Sequence, residues 1–178
     1  MKSFALAKGR LAAHLAEPQR RALARQMAET VLGAAGAMPV VVACDDEDVA
    51  AWARSRGASV AWVPGTDLNG AVSAAVASLV GVDRIVVAHA DLPKARDLTV
   101  AVGVEGVVVV PDRREDGTNV LSVPAGSAFP FAYGPGSFRR HVAVAESLGL
   151  PLTVLRPDDL TWDVDEPADL EGVHVPCG

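Results

Sequence analysis

The chain is expected to form an α/β fold, a three-layer sandwich with a mostly parallel sheet. Two patterns carry that expectation. The strand candidates are short continuous apolar runs rather than alternating ones, which marks strands buried on both faces. Between them lie segments with apolar residues at helical spacing, the pattern of crossover connections. The size agrees, because 178 residues, half of them hydrophobic, make one domain spanning 1–178.

Taken in order, residues 11–35 place Leu11, Leu15, Leu23, Met27, Val31 and Leu32 near helical spacing, and Gly33 and Gly36 weaken that helix before Pro39. Residues 40–44 form an apolar strand, and Asp45-Asp46 behind it suit the cap of a helix over 46–56 that stops at Gly57. A second strand over 60–63 closes at Pro64-Gly65. An Ala-rich helix follows over 69–80 and stops at Gly81. Residues 84–89 read as a strand, 92–102 as a short helix, and 107–110, four valines in a row, as the strongest strand. Residues 112–136 are rich in Gly and Pro and read as loop. A helix over 137–148, a strand over 152–155 and a short helix over 167–172 complete the chain.

The charge balance excludes several functions. Lys and Arg total 16 against 22 Asp and Glu, a net charge of -6, so a general nucleic-acid binder with a basic face is not expected. No uncharged apolar run reaches the roughly 18 residues of a membrane span, and the first residues lack the apolar core of a secretory leader. Two cysteines, Cys44 and Cys177, build neither a disulfide framework nor a zinc site, which suits a reducing cytoplasm. Gly-x-x-x-x-Gly-Lys, Gly-x-Gly-x-x-Gly and Gly-x-Ser-x-Gly motifs are all absent.

In open parallel sheets, ligands sit beyond the carboxyl ends of the strands. Those ends carry acids: Asp45-Asp46, Asp67, Asp91, Asp112 and Asp158-Asp159. Clustered carboxylates repel one another unless a cation compensates, although a helix cap explains some of them, Asp45 and Asp46 above all. Asp91 follows a buried strand and precedes Pro93, which fixes the turn, and its oxygens suit magnesium. His89 reads as packed, or as orienting its neighbour. Asp163 and Asp165, in an extended Asp-x-Asp segment, face one side and could join Asp91. Seven acids between 158 and 171 make solvated charge the competing explanation.

Gly134-Pro135-Gly136-Ser137 opens a helix, where close backbone approach and free N–H groups suit an anion, or where Ser137 simply caps. Thr118, in a polar turn, can donate to an anion. Only three lysines occur in the chain, and two of them, Lys2 and Lys8, lie beside Arg10 near the start. That small basic cluster would suit a nucleotide triphosphate.

Six segments recur in one order: Lys2 with Ala7-Lys8-Gly9-Arg10-Leu11; Asp67-Leu68-Asn69-Gly70-Ala71; His89-Ala90-Asp91-Leu92-Pro93; Pro111-Asp112-Arg113 with Asp116-Gly117-Thr118-Asn119; Gly134-Pro135-Gly136-Ser137-Phe138 with His141; and Asp163-Val164-Asp165. Together they resemble, almost end to end, the phosphoenolpyruvate or 2-phospho-L-lactate guanylyltransferases of deazaflavin coenzyme biosynthesis, the actinobacterial type most of all. The resemblance implies a fold like that of the nucleotide-diphospho-sugar transferases. It implies the reaction of phosphoenolpyruvate with GTP to give enolpyruvyl-diphospho-guanosine and pyrophosphate. It also implies Asp91 and Asp163 as catalytic groups that hold magnesium with Asp165. Thr118, Gly134 and Ser137 would hold the phosphorylated acid, Lys2, Lys8 and Arg10 the GTP phosphates, and Asn69 the nucleoside or its helix start. Alternatives are 2-phospho-L-lactate or 3-phosphoglycerate as substrate, a sugar-phosphate nucleotidyltransferase, and a non-catalytic nucleotide-binding homologue. A homodimer and a partner enzyme of the same pathway are both compatible. The resemblance further implies a buried strand ahead of the first lysine, next to the nucleotide. Met1 stands directly before Lys2, so that strand is expected to be nearly absent and GTP binding weakened.

Overall fold

The computed structural model describes residues 1–176, and Cys177, for which no role is expected, lies outside them. Strands β1 (Val41–Cys44), β2 (Ser59–Trp62), β3 (Arg84–Ala88), β4 (Val107–Pro111), β5 (Thr118–Pro124) and β6 (Leu152–Val154) are interleaved with helices α1 (Glu17–Ala34), α2 (Glu47–Ser55), α3 (Leu68–Ala77), α4 (Ser137–Ser147) and the single turn α5 (Asp158–Thr161). Four strands pair in the order β3-β5-β4-β6. In that sheet β3, β4 and β6 share one direction, and β5 alone runs against them. β1 and β2 make a separate parallel pair.

The valine run in β4 shows why the strands lack alternation. Val107, Val108, Val109 and Val110 are all fully buried. Val108 and Val110 pack with Val120, Val31, Ala34 and Leu160 on one face, so α1 and α5 cover it. Val107 and Val109 pack with Leu121, Val123, Val72 and Ala145 on the other, under α3 and α4. Two covered faces give three layers, and each buried valine contributes about 1.5–3 kcal/mol. Gly106, ahead of β4, has a φ of +74°, and a Cβ there would overlap the Pro151 carbonyl. That carbonyl accepts the Val107 N–H at 2.7 Å, so glycine is what lets β4 and β6 meet.

β5 is the main departure from the expected pattern, since it lies within the predicted loop. Its sequence breaks the apolar run with Thr118, Asn119 and Ser122, all buried. Each is satisfied by a particular partner: the Asn119 amide donates to the Leu160 carbonyl at 3.0 Å, and the Ser122 hydroxyl accepts from Arg84 at 2.9 Å. The β4–β5 register slips between Val110 and Pro111, so that Val110 faces Val120 and Pro111 faces Thr118. This bulge reverses the side-chain alternation at the start of β5. Asn119 reaches Leu160, which packs with Val120, whereas Thr118 reaches His141 on α4.

Other boundaries shift for local reasons. α1 begins at Glu17 rather than near Leu11, because Pro18 pre-sets its first turn and the Gln19 side chain holds the Ala16 N–H at 3.0 Å. The expected helix over 92–102 is reduced to a 3-10 turn at Thr99–Ala101. Asp97 there accepts from both the N–H and the hydroxyl of Thr99, a local bonding pattern that competes with helix. The helix expected from 167 is a 3-10 turn, Pro167–Leu170. Asp46 caps α2 by accepting the Val49 N–H at 3.0 Å. No strand is formed over 1–40, and among the described residues none bridges β1 to β3. The Met1 ammonium instead donates to the Ala43 carbonyl of β1, and Phe4 packs edge-on against Trp52, 5.4 Å between ring centres.

Candidate active site

The acids at the end of β3 and in the 162–166 segment come together. The Val164 N–H donates to the Asp91 carbonyl at 3.2 Å, which sets Asp163 and Asp165 beside Asp91 although 72 positions separate Asp91 from Asp163. Lys8 reaches the same place from the other end of the chain. Its ammonium donates to Asp91 Oδ2 at 2.7 Å and to Asp165 Oδ1 at 3.3 Å, and Arg10 meets Asp165 Oδ2 at 3.5 Å. Lys8 adopts a left-handed backbone, φ 55°, which is uncommon outside glycine. Gly9 and Arg10 then enter a 3-10 turn that buries Leu11.

The charges in this cluster are unevenly matched. Burial favours a neutral Asp91, but the Lys8 ammonium and then His89 outweigh it and hold the carboxyl below its ordinary value. Burial likewise works against the Lys8 charge, yet Asp91 and Asp165 lift that ammonium above its ordinary value. Among the described residues Asp163 has no such partner. Burial first, and repulsion from Asp91 second, push its carboxyl up. Asp91 Oδ1 and Asp163 Oδ1 are buried with no hydrogen-bond partner among the described residues. Asp165, expected as a third metal ligand, turns its two oxygens to Lys8 and Arg10. Among the described residues no three His, Cys, Asp or Glu side chains are grouped to hold a metal by themselves.

A buried acid that sequence reasoning missed, Asp169, fixes this segment. Its Oδ2 accepts the N–H groups of Asp165 and Glu166 at 2.9 and 2.8 Å, and its Oδ1 accepts from Arg113 and Arg114 at 2.5 and 3.1 Å. Burial alone would raise its carboxyl, but those two N–H groups and the two guanidinium groups hold it low. Trp162 donates to the Asp169 carbonyl at 3.0 Å and is sandwiched between cations, with Lys94 at 3.3 Å and Arg113 at 3.6 Å from its ring centre. The only sequence signal was the Arg113-Arg114 pair after the strongest strand. Within a run of seven acids, nothing singled out the buried one.

The second half of the site is built from hydroxyls, an imidazole and backbone groups. Ser137, at the start of α4, and Thr118, at the start of β5, are both buried. The Phe138 N–H donates to the Asp116 carbonyl at 3.0 Å and ties that helix start to the turn before Thr118. Gly134 and Gly136 have φ of 115° and 72°, and the Ser137 N–H closes onto the Gly134 carbonyl. His141, one turn along α4 from Ser137, is fully buried. Its Nε2 accepts the Ala132 N–H at 3.0 Å, and its Nδ1 lies 3.0 Å from Thr118 Oγ1. The amide of Asn69, expected to contact the nucleoside or its helix start, is engaged on both sides by Tyr133: Oδ1 accepts the N–H at 2.6 Å and Nδ2 donates to the carbonyl at 3.2 Å. Arg140 adds bonds to the Ala132 and Pro135 carbonyls. Tyr133 itself is buried, which pushes its hydroxyl up, and its ring lies 5.4 Å from His89 and 4.8 Å from His141. Ring contact and the Ala88–Val120 pairing therefore link this half to the carboxylates. Lys2 is exposed near the chain start, and no salt bridge to the cluster is formed from it among the described residues. A surface cleft between Phe4, Trp52 and the Arg21–Asp48 pair contains none of these groups.

A family model described as guanylyl transferase CofC-like matches residues 1–176. A phosphoenolpyruvate guanylyltransferase of Sphaerobacter thermophilus is 36% identical over 100% of this chain and 92% of its own length. A 2-phospho-L-lactate guanylyltransferase of Methanosphaerula palustris is 30% identical over 92% of this chain and 76% of its own. Among solved structures, a nucleotide-diphospho-sugar transferase of Desulfovibrio desulfuricans superposes with a TM-score of 0.79 at 18% identity, covering 96% of this chain and 81% of that one. At that identity the likeness concerns the fold.

Proposed function

Since this chain belongs to the guanylyl transferase CofC-like family, we propose that it joins GMP from GTP to phosphoenolpyruvate, giving enolpyruvyl-diphospho-guanosine and pyrophosphate. The observation that carries the reading is the meeting of Asp91, Asp163 and Lys8 at the end of β3. A phosphate oxygen of the acid attacks the α-phosphorus of GTP, the bond to the β-phosphate oxygen breaks, and pyrophosphate leaves. No covalent enzyme intermediate is needed, so catalysis rests on positioning and on offsetting the repulsion between two anions.

Magnesium fits the first half of the site. Asp91 Oδ1 and Asp163 Oδ1 are buried without partners among the described residues, and burial first, then like charge from Asp91, push the Asp163 carboxyl up. Magnesium is commonly held by one or two carboxylates plus substrate phosphates, so Asp91 and Asp163 would hold it, with Asp165 beside them. Its charge, when bound, would screen the two phosphates from each other. Lys8 and Arg10 supply fixed positive charge on the same side, and with magnesium in place they would turn to the GTP phosphates, joined by Lys2 from the exposed chain start. Thr118, Ser137 and the backbone around Gly134 would hold the acid, while Asn69 and Arg140 keep the 132–136 turn in place. Asn69 thus acts on the acid pocket through Tyr133.

Pyrophosphate release, measured with GTP and each of phosphoenolpyruvate, 2-phospho-L-lactate and 3-phosphoglycerate, with and without magnesium, tests the reading. Release with phosphoenolpyruvate and magnesium only is expected. Equal release with all three acids would overturn the substrate, and full release in chelator would overturn the metal. The match to a 2-phospho-L-lactate enzyme makes that acid the second reading.

A further inference from the structure

We propose that His141 is a positioning residue that aims the Thr118 hydroxyl proton into the acid pocket, so that this subsite accepts only a hydrogen-bond acceptor such as a carboxylate or phosphate oxygen. The inference rests on the reading of the site given above and goes beyond it, since it assigns polarity to one contact.

A chain of hydrogen bonds sets this polarity, and its first link has no freedom. A backbone N–H is always a donor, so Ala132 N–H, 3.0 Å from His141 Nε2, requires a lone pair on that nitrogen. The ring is fully buried against Phe129 and Tyr133. Burial and the neighbouring Arg140 lower its pKa to about 4, so it is neutral near pH 7. A neutral imidazole with Nε2 as acceptor carries its proton on Nδ1. That N–H faces Thr118 Oγ1 at 3.0 Å, so the hydroxyl must accept it. The hydroxyl's own proton then cannot point at His141. His141 is the hydroxyl's only hydrogen-bond partner among the described residues, and Thr118 is almost fully buried. A buried donor left without an acceptor is costly, so the site favours a ligand that brings one.

The backbone around this chain is arranged to hold it. The β-bulge at the start of β5 turns Thr118 toward α4 instead of toward the Leu160 side. Arg140, one residue before His141, bonds to the Ala132 carbonyl at 2.9 and 3.0 Å. Ala132 is thus fixed at both its N–H and its carbonyl, and the orientation of the ring follows.

The test has two arms. In the first, 15N NMR of the substrate-free chain at neutral pH reports which ring nitrogen of His141 carries the proton. A proton on Nδ1 alone is expected, and a proton on Nε2 overturns the inference without any enzyme assay. The second arm reads KM for phosphoenolpyruvate in guanylyl transfer. Thr118→Val should raise it about thirtyfold and His141→Phe about tenfold, with kcat changing less than KM. The double variant should do no more harm than Thr118→Val alone. His141→Gln can accept from Ala132 and donate to Thr118, and it should recover most of the loss. Unchanged KM in a folded His141→Phe chain, or additive effects in the double variant, overturns the inference. A wild-type chain that transfers no GMP to any of the three acids overturns the proposed reaction instead, and the NMR arm still decides the polarity of the Thr118 contact.

Discussion

The two halves of the candidate site differ in how their polar groups are satisfied. Around Asp91, three carboxylates face one lysine and one exposed arginine, and two buried oxygens have no partner among the described residues. Around Thr118, the buried His141 is neutral near pH 7, and backbone bonds hold His141 and Asn69 in place. The first half is electrostatically unfinished and gains from added positive charge. The second is preorganised, with its dipoles fixed before any ligand arrives. Substitutions in the first half should therefore act on turnover, and those in the second on affinity for the acid.

The largest expected effect is Asp91→Asn, which removes the carboxylate that both Lys8 and magnesium would use. Pyrophosphate release should fall by about a thousandfold while the circular dichroism spectrum stays unchanged. Near-wild-type turnover with magnesium present would break the comparison at its root. Next comes Asp169→Ala, which leaves Arg113 and Arg114 without their buried partner and frees the Asp165 and Glu166 N–H groups. It should lower unfolding stability by about 3 kcal/mol in urea. The pH dependence has a definite sign. A carboxyl held low in the folded state adds stability above its ordinary value of 3.8 and loses it as the pH falls below. Wild-type stability should accordingly decline at acid pH more steeply than that of the variant.

Asn69→Ala deletes both amide bonds to Tyr133 and should raise KM for the acid about tenfold while kcat changes less. A pure kcat loss there would erase the distinction between the two halves. The smallest effect, a shift in stability, sharpens it. Asp163 is held above its ordinary value of 3.8, so its folded form prefers the proton and is destabilised as the pH rises through that range. Asp163→Asn should therefore raise Tm at pH 7 by about 2 °C while transfer is lost. A fall in Tm would mean that the acid stabilises the fold, and the unfinished character of this half would be wrong.

Much of this was readable in the sequence where one physical signal dominated. The four valines of β4 could only be a strand buried on both faces, and Asp91 followed a strand end where ligands gather. β5 was not readable, because its burial depends on partners far away in the chain. Nothing near Asn119 or Ser122 announces Leu160 or Arg84. The helix expected over 92–102 failed for the opposite reason, since Asp97 bonds its own neighbour and outweighs helical spacing. Within the site, charge was legible and satisfaction was not. Asp163 and Asp169 are both acids in one acidic stretch, yet among the described residues one lacks a partner for a buried oxygen and the other has four donors.

The slip in register at the start of β5 gives the pocket an unusual vulnerability. Inserting one residue between Val110 and Pro111 would give Asn119 a partner across the ladder and remove the slip, while the valines of β4 and β5 stay in step and the interior is nearly as well filled. Strict two-residue periodicity would then swing Thr118 round to the Leu160 layer and leave His141 facing empty pairing capacity. Lengthening the turn at 113–116 would be absorbed outside the ladder and leave that hydroxyl where it is. Two indels only a few residues apart would thus have opposite fates, one silent to folding yet blinding to the acid, the other tolerated by both.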